Sequence, residues 1–173
     1  MARIFITGST DGLGRAAAET LIDEGHGVAL HARSRDRVSA FEDLVPRSLG
    51  VVIGDLGSGV ETRRVAKQVN AIGTMDVVIH NAGIASTTGR SPTEESHARI
   101  LAINTFAPYI LTALIARPRR LVYLSSSMHR GGTGSLCDID WVERRWNSDS
   151  AYSESKLYLT ALAFAVARHW PES

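Results

Sequence analysis

The stretch RIFITGSTDGLGRAAAETL, residues 3–21, decides the fold. Ile4, Phe5, Ile6 and Thr7 stand ahead of three glycines, Gly8, Gly12 and Gly14, and the chain then takes up helical spacing. A short apolar and β-branched run that breaks at glycine and resumes as an amphipathic segment reads as strand, turn, helix. So much bare backbone invites a phosphate. Gly8 and Gly12 would let the chain turn tightly and bring N–H groups up to a pyrophosphate, while Gly14 would let the helix approach the sheet. The plain alternative is a glycine-rich turn with no ligand.

Outward from this stretch the alternation repeats. The pattern predicts strands near 3–7, 27–32, 50–54, 76–80 and 120–124, and helices near 13–24, 36–45, 59–72, 94–116 and 151–169. The strands are apolar on both faces, as expected when helices cover both sides of a parallel sheet. The fold class is therefore α/β, a doubly wound parallel sheet of Rossmann type. With 173 residues, 44% of them hydrophobic, the chain suits one domain spanning residues 1–173. The one long irregular stretch, residues 128–150, is of a length that is usually functional or mobile.

Composition narrows the partners. A net charge of +1 with scattered basic residues gives no footprint for nucleic acid or an anionic membrane. Cys137 is the only cysteine, which excludes a disulfide framework and a cysteine-rich metal site and fits a reducing cytosol. No apolar run approaches the roughly 18 residues of a membrane span. A soluble, cytoplasmic protein is expected. His26, His31, His80, His97 and His169 show no metal-ligand spacing and read as strand, turn or surface residues.

The glycine spacing, with the wider gap first, and further motifs in order carry a resemblance. Thr7, Gly8, Ser9, Thr10, Asp11, Gly12, Leu13 and Gly14 resemble the TGxxxGxG loop of the short-chain dehydrogenase/reductase family. Asp55 and Leu56 end strand three, where the family's acidic residue binds the adenine amino group. Asn81, Ala82 and Gly83 resemble its NAG motif, Asn104 its helix asparagine, Ser125-Ser126-Ser127 its strand-five serines, and Tyr152 to Lys156 its YxxxK motif. The resemblance covers the whole chain. It implies a coenzyme bound by residues 8–14, Arg33, Asp55, Leu56, 81–83, Tyr152 and Lys156, and a catalytic group of Ser126, Tyr152, Lys156 and Asn104. The family continues into a sixth and a seventh strand that this sequence lacks, so strands one to five are expected, with the fifth open on one side.

The chemistry can be argued from the residues themselves. Carbonyl reduction leaves an alkoxide that needs a proton, and the reverse reaction needs a base. A phenol can do both, but its ordinary pKa near 10 calls for a nearby cation. Lys156, four residues after Tyr152, shares its helix face and can also reach a ribose. Ser126 is the family's choice for orienting the substrate oxygen, with Ser125 and Ser127 as rivals. Asn104 would hold a water that links the lysine to solvent, or would satisfy a kink at Pro108. His129 and the segment DIDWVERRW resemble the retinol-dehydrogenase-like branch, in which Trp141 and Trp146 would line an apolar pocket or pin the loop to the core.

Coenzyme choice is read after strand two. Ala32 stands where an NAD enzyme would carry an acid, and Arg33 and Arg35 follow, which suits the forked recognition of the 2′-phosphate of NADP. Arg37 is expected on the next helix's exposed face, and Asp11 would repel that phosphate. The expected function is an NADP-dependent oxidoreductase acting on a small alcohol or carbonyl, without a metal and with a homo-oligomer possible. The alternative class is a dinucleotide-binding regulatory or scaffolding protein without turnover, and a nucleotide-sugar epimerase is disfavoured by the glycine spacing.

Overall fold

The structure is a computed structural model that describes residues 1–85 and 87–170. Five strands, β1 (Arg3–Ile6), β2 (Gly27–Ala32), β3 (Gly50–Ile53), β4 (Val77–His80) and β5 (Arg120–Tyr123), form one parallel sheet. Their order is β3-β2-β1-β4-β5. From β1 the chain steps outward to β2 and β3, then returns to the other side of β1 for β4 and β5. The reversal between β1 and β4 opens a crevice at the carboxyl ends of those strands, the usual ligand position in such sheets.

Alternation along each strand fills both faces. Phe5, Val52 and Val78 pack against Val65, Ala66 and Val69 of α2 (Gly59–Ile72) and Leu111 of α4 (Ala107–Leu114). Ile4, Ile6, Val28 and Leu30 pack on the opposite face against Ala18 and Ile22 of α1 (Gly12–Asp23). α2 starts where the Ser58 side chain accepts the Glu61 N–H. α1 has no such side-chain cap, so its first N–H groups stay open toward the crevice.

Two predicted helices are corrected. Residues 36–45 are not an α-helix but two 3-10 pieces, Arg35–Phe41 and Val45–Arg47. The Ser39 hydroxyl donates to the Asp36 carbonyl, and Pro46 has no N–H for the Glu42 carbonyl, so the last turn cannot close as an α-helix. The helix expected over 94–116 starts only at α3 (Arg99–Leu101), because residues 92–98 form a turn closed by a Pro92–Ala98 bridge. It then widens into a π-helical stretch, Ala102–Phe106, before α4. Pro108 lacks the N–H that an α-helix would present to the Asn104 carbonyl, which accounts for the widening at this point. α5 (Ser148–His169) starts three residues earlier than expected because Asn147 caps it, accepting from the Ser150 N–H.

Among the described residues β5 pairs only with β4. Leu121, Val122 and Tyr123 are half-buried, and Phe164 on the later turns of α5 is 63% exposed. No described helix is long and apolar enough to cross a membrane.

Candidate active site

The glycine loop is shaped by close approach. Gly8 adopts φ +67°, and a Cβ there would come within 3.0 Å of the Ala82 Cα. At Gly14 a Cβ would lie 2.1 Å from the Gly8 carbonyl oxygen and 2.4 Å from Asn81 Nδ2, so only glycine fits. Asn81 fastens the loop. Its Nδ2 donates to the carbonyls of Thr7 (2.9 Å) and Gly8 (3.0 Å), while Thr7 Oγ1 accepts the N–H groups of Asn81 and Ala82.

A cleft of about 550 Å³ runs from this loop to α5. All the residues expected to bind coenzyme border it except Ser9, which is fully buried with its hydroxyl donating to the Ile6 carbonyl. The bare backbone at Gly12, together with the open N–H groups at the start of α1, suits a pyrophosphate. Asp55 borders the cleft at the end of β3, where an adenosine is expected. Its carboxylate accepts from Arg99 at 2.6 Å and from the Gly57 N–H at 2.8 Å. Burial pushes its pKa up, but the Arg99 hydrogen bond and the Gly57 N–H outweigh that and hold it below the ordinary aspartate value.

Arg33 and Arg37 both border this end of the cleft. Arg37 is exposed, as expected, yet its guanidinium reaches the Asp11 carboxylate at 2.8 Å. The expected repulsion between Asp11 and a phosphate is thus offset by a cation beside it. Arg35 is exposed and is not among the residues bordering the cleft.

At the opposite end Tyr152 and Lys156 border the cleft together. The i, i+4 spacing on α5 brings Lys156 Nζ to 5.9 Å from the Tyr152 ring centroid, and Nζ donates to the Leu124 carbonyl at 2.7 Å. Burial pushes the lysine pKa below its ordinary value. Asn104 is fully buried in the π-helical stretch. Its Oδ1 accepts the Ile84 N–H, and its Nδ2 donates to the Ile84 carbonyl and to Ser155 Oγ, each at 2.9 Å. The amide therefore ties the segment after β4 to the YxxxK helix. Gly83 completes the junction, since a Cβ there would stand 3.2 Å from Asn104 Oδ1 and 3.4 Å from Lys156 Nζ.

The three serines part company. Ser125 borders the cleft and its hydroxyl meets Thr160 Oγ1 at 2.6 Å. Ser126 caps a 3-10 turn, Ser127–Gly131, by accepting the Met128 N–H at 3.2 Å. Ser127 is exposed. His129 donates from Nδ1 to the Ser126 carbonyl, so it braces the serine segment.

Residues 128–150 are irregular but tied down. Glu154, buried on α5, accepts from both Arg144 terminal nitrogens (2.9 and 2.6 Å) and from Thr133 Oγ1. Arg144 in turn lies 3.7 Å from the Trp141 ring centroid, and Trp141 meets Trp146 edge-on. Both tryptophans belong to the cluster that includes Ala98, Leu101 and Tyr152, and neither borders the cleft, so they pin the loop. The sequence showed Glu154 and Arg144 only as charges. Nothing local marks them as partners.

The chain belongs to the short-chain dehydrogenase family, whose profile matches residues 2–173 under the description "short chain dehydrogenase". It is 43% identical over 173 residues to an uncharacterized oxidoreductase of Emericella nidulans, covering 98% of this chain and 65% of that protein. Human retinol dehydrogenase 13 is a more distant relative, 27% identical over 180 residues that cover 95% of this chain and 53% of the relative. A crystal structure of an uncharacterized protein from Mycobacterium paratuberculosis superposes with a TM-score of 0.87 at 29% identity, covering 98% of this chain and 62% of that one. A Sphingobium yanoikuyae short-chain dehydrogenase in complex with NADPH has the same fold, with a TM-score of 0.74 at 23% identity over 98% of this chain and 66% of that one. The chain thus spans about two-thirds of the length of these proteins at most.

Proposed function

We propose that this chain binds NADP(H) and carries the proton-transfer residues of an oxidoreductase that interconverts an alcohol and a carbonyl. The observation that carries the reading is one cleft with the glycine loop, Asp55 and Arg33 at one end and the Tyr152–Lys156 pair at the other. The coenzyme supplies or accepts the hydride. Tyr152 gives its phenolic proton to the developing alkoxide, or takes the alcohol's proton in the reverse direction. Lys156, charged and buried beside the phenol, favours the phenolate and is placed to bond a ribose hydroxyl. Ser126 orients the substrate oxygen, with Ser125 as its rival because of its place on the cleft. Asn104 holds the helix and the segment after β4 in register, so that Tyr152 and Lys156 face the same space.

NADP is favoured over NAD by Arg33 and by Arg37, whose pairing with Asp11 keeps a second guanidinium at the ribose end. The complex of a family member with NADPH supports the same choice. Among the described residues β5 pairs on one side only and Phe164 is exposed, so either further residues of a longer chain or a second copy would cover this face. The test is Tyr152→Phe, assayed with NADPH against a carbonyl panel. Turnover should fall at least about 100-fold with NADPH binding nearly unchanged. Full activity in the phenylalanine variant would overturn the acid/base role, and a parent that binds coenzyme without turning over any carbonyl or alcohol would favour a regulatory protein.

A further inference from the structure

By sequence His31 is one residue of an apolar strand, and its position is not ordinary. It lies near the end of β2, buried, among the residues that border the cleft. Both ring nitrogens are engaged. The Gly8 N–H donates to Nδ1 at 2.9 Å, and Nε2 lies 2.9 Å from the Gly54 carbonyl oxygen. A carbonyl can only accept, so the ring carries its proton on Nε2 and offers Nδ1 as an acceptor. The same residue's backbone is stitched to the loop as well, since Ser9 N–H donates to the His31 carbonyl and the His31 N–H donates to Ser9 Oγ. The Phe5 ring meets the imidazole edge-on at 6.4 Å and fixes its plane.

These bonds join parts of the molecule that phosphate binding must hold together. Gly8 begins the loop, with φ +67° that only glycine takes easily, and Gly54 leads into Asp55 at the adenosine end. We propose that His31, as the neutral Nε2–H tautomer, is a positioning residue for coenzyme binding: it holds Gly8 at the loop's start and Gly54 at the end of β3 in fixed register. The Gly8 N–H is thereby spent on the histidine. Phosphate recognition falls to the N–H groups at the start of α1, whose orientation depends on where Gly8 is held. The inference rests on the coenzyme reading above and adds to it a residue that does not touch the coenzyme's reacting atoms.

Two substitutions separate the ring's two bonds. His31→Asn places an amide oxygen near the Nδ1 position and can still accept from Gly8, whereas His31→Gln places an amide nitrogen near the Nε2 position and can still donate to Gly54. NADPH affinity should drop about tenfold or more in His31→Gln, which releases Gly8 at the phosphate loop, and by about threefold in His31→Asn, which releases only Gly54, by titration calorimetry. Thermal midpoints measured on both variants should not follow that order, which a merely structural role would require. Independently, nitrogen-15 spectra of the parent at pH 7 should show His31 protonated at Nε2 with Nδ1 accepting a hydrogen bond. Should neither variant fold, these spectra decide. A His31 ring protonated at Nδ1, or a glutamine variant that binds NADPH as tightly as the parent, overturns the inference. A parent that binds neither NADPH nor NADH overturns the coenzyme reading and the inference with it, an outcome distinct from the other two.

Discussion

The two ends of the cleft are built differently. At the glycine loop, side chains from three strands or their ends converge on a few backbone atoms: Thr7 after β1, His31 of β2 and Asn81 after β4. At the serine end, Ser125 and Ser126 sit beside a 3-10 turn and the irregular segment 128–150, next to β5, which among the described residues pairs on one side only. A phosphate offers the same oxygens whatever the substrate, so its cradle can be rigid. At the serine end, where a substrate is proposed to bind, an irregular segment is held at chosen points by Glu154 and Arg144.

Acid should have the largest effect, through His31 beneath the glycine loop and through His80, whose ring lies 3.1 Å from Thr112 Oγ1 and stacks on Tyr123. Burial pushes the His31 value down to about 4, against the opposing Gly54 hydrogen bond and Asp55 charge, and pushes His80 down to about 3. Unfolded, each histidine takes up a proton near pH 6.5 that the folded chain refuses until the lower value is reached. Stability is therefore independent of these two groups above pH 6.5 and is lost as pH falls below it, by roughly 2 kcal/mol for each between 6.5 and 5. Urea midpoints at pH 7.5 and 5.0 measure this, and equal midpoints would show that neither ring is held neutral.

The comparison sharpens next at the serines. Ser126→Ala should lower turnover by about 100-fold while leaving NADPH affinity unchanged, since only the substrate end is touched. Ser125→Ala is the control, and a larger loss there would transfer the role to the hydroxyl that borders the cleft. At the opposite end Arg33→Ala should remove about tenfold of the preference for NADPH over NADH, with turnover at saturation preserved. Equal affinity of the parent for the two coenzymes would end that assignment. The smallest effect belongs to Asp11→Asn, which frees Arg37 from its partner and should tighten NADPH by about threefold without changing NADH. Weaker NADPH binding in that variant would mean that Asp11 orients Arg37 rather than competing for it.

Amino-acid order alone determined the features that arise from neighbours. The strand, glycine turn and helix of residues 3–21 are a local pattern, and so is the i, i+4 pairing of Tyr152 with Lys156. Five apolar runs alternating with helical segments were enough for a parallel sheet covered on both faces. Sequence periodicity also suggested α-helix over residues 36–45, where the side chain of Ser39 and the missing N–H of Pro46 instead leave short 3-10 pieces. The widening around Asn104 shows the same limit, since Pro108 signals a defect but not the form it takes.

What tertiary structure decided lies at long sequence separation. Gly8 and His31 are 23 residues apart, Asp11 and Arg37 are 26 apart, and Asn104 and Ser155 are 51 apart. No periodicity joins such pairs, because their meeting depends on the order in which strands lie beside β1 and not on the spacing along the chain. A histidine in an apolar strand reads the same whether it faces solvent, a helix or a phosphate loop. Here the step from β1 to β2 sets the ends of those strands side by side, and the return to β4 opens the crevice above them, so that His31 meets Gly8 and Gly54 instead of solvent.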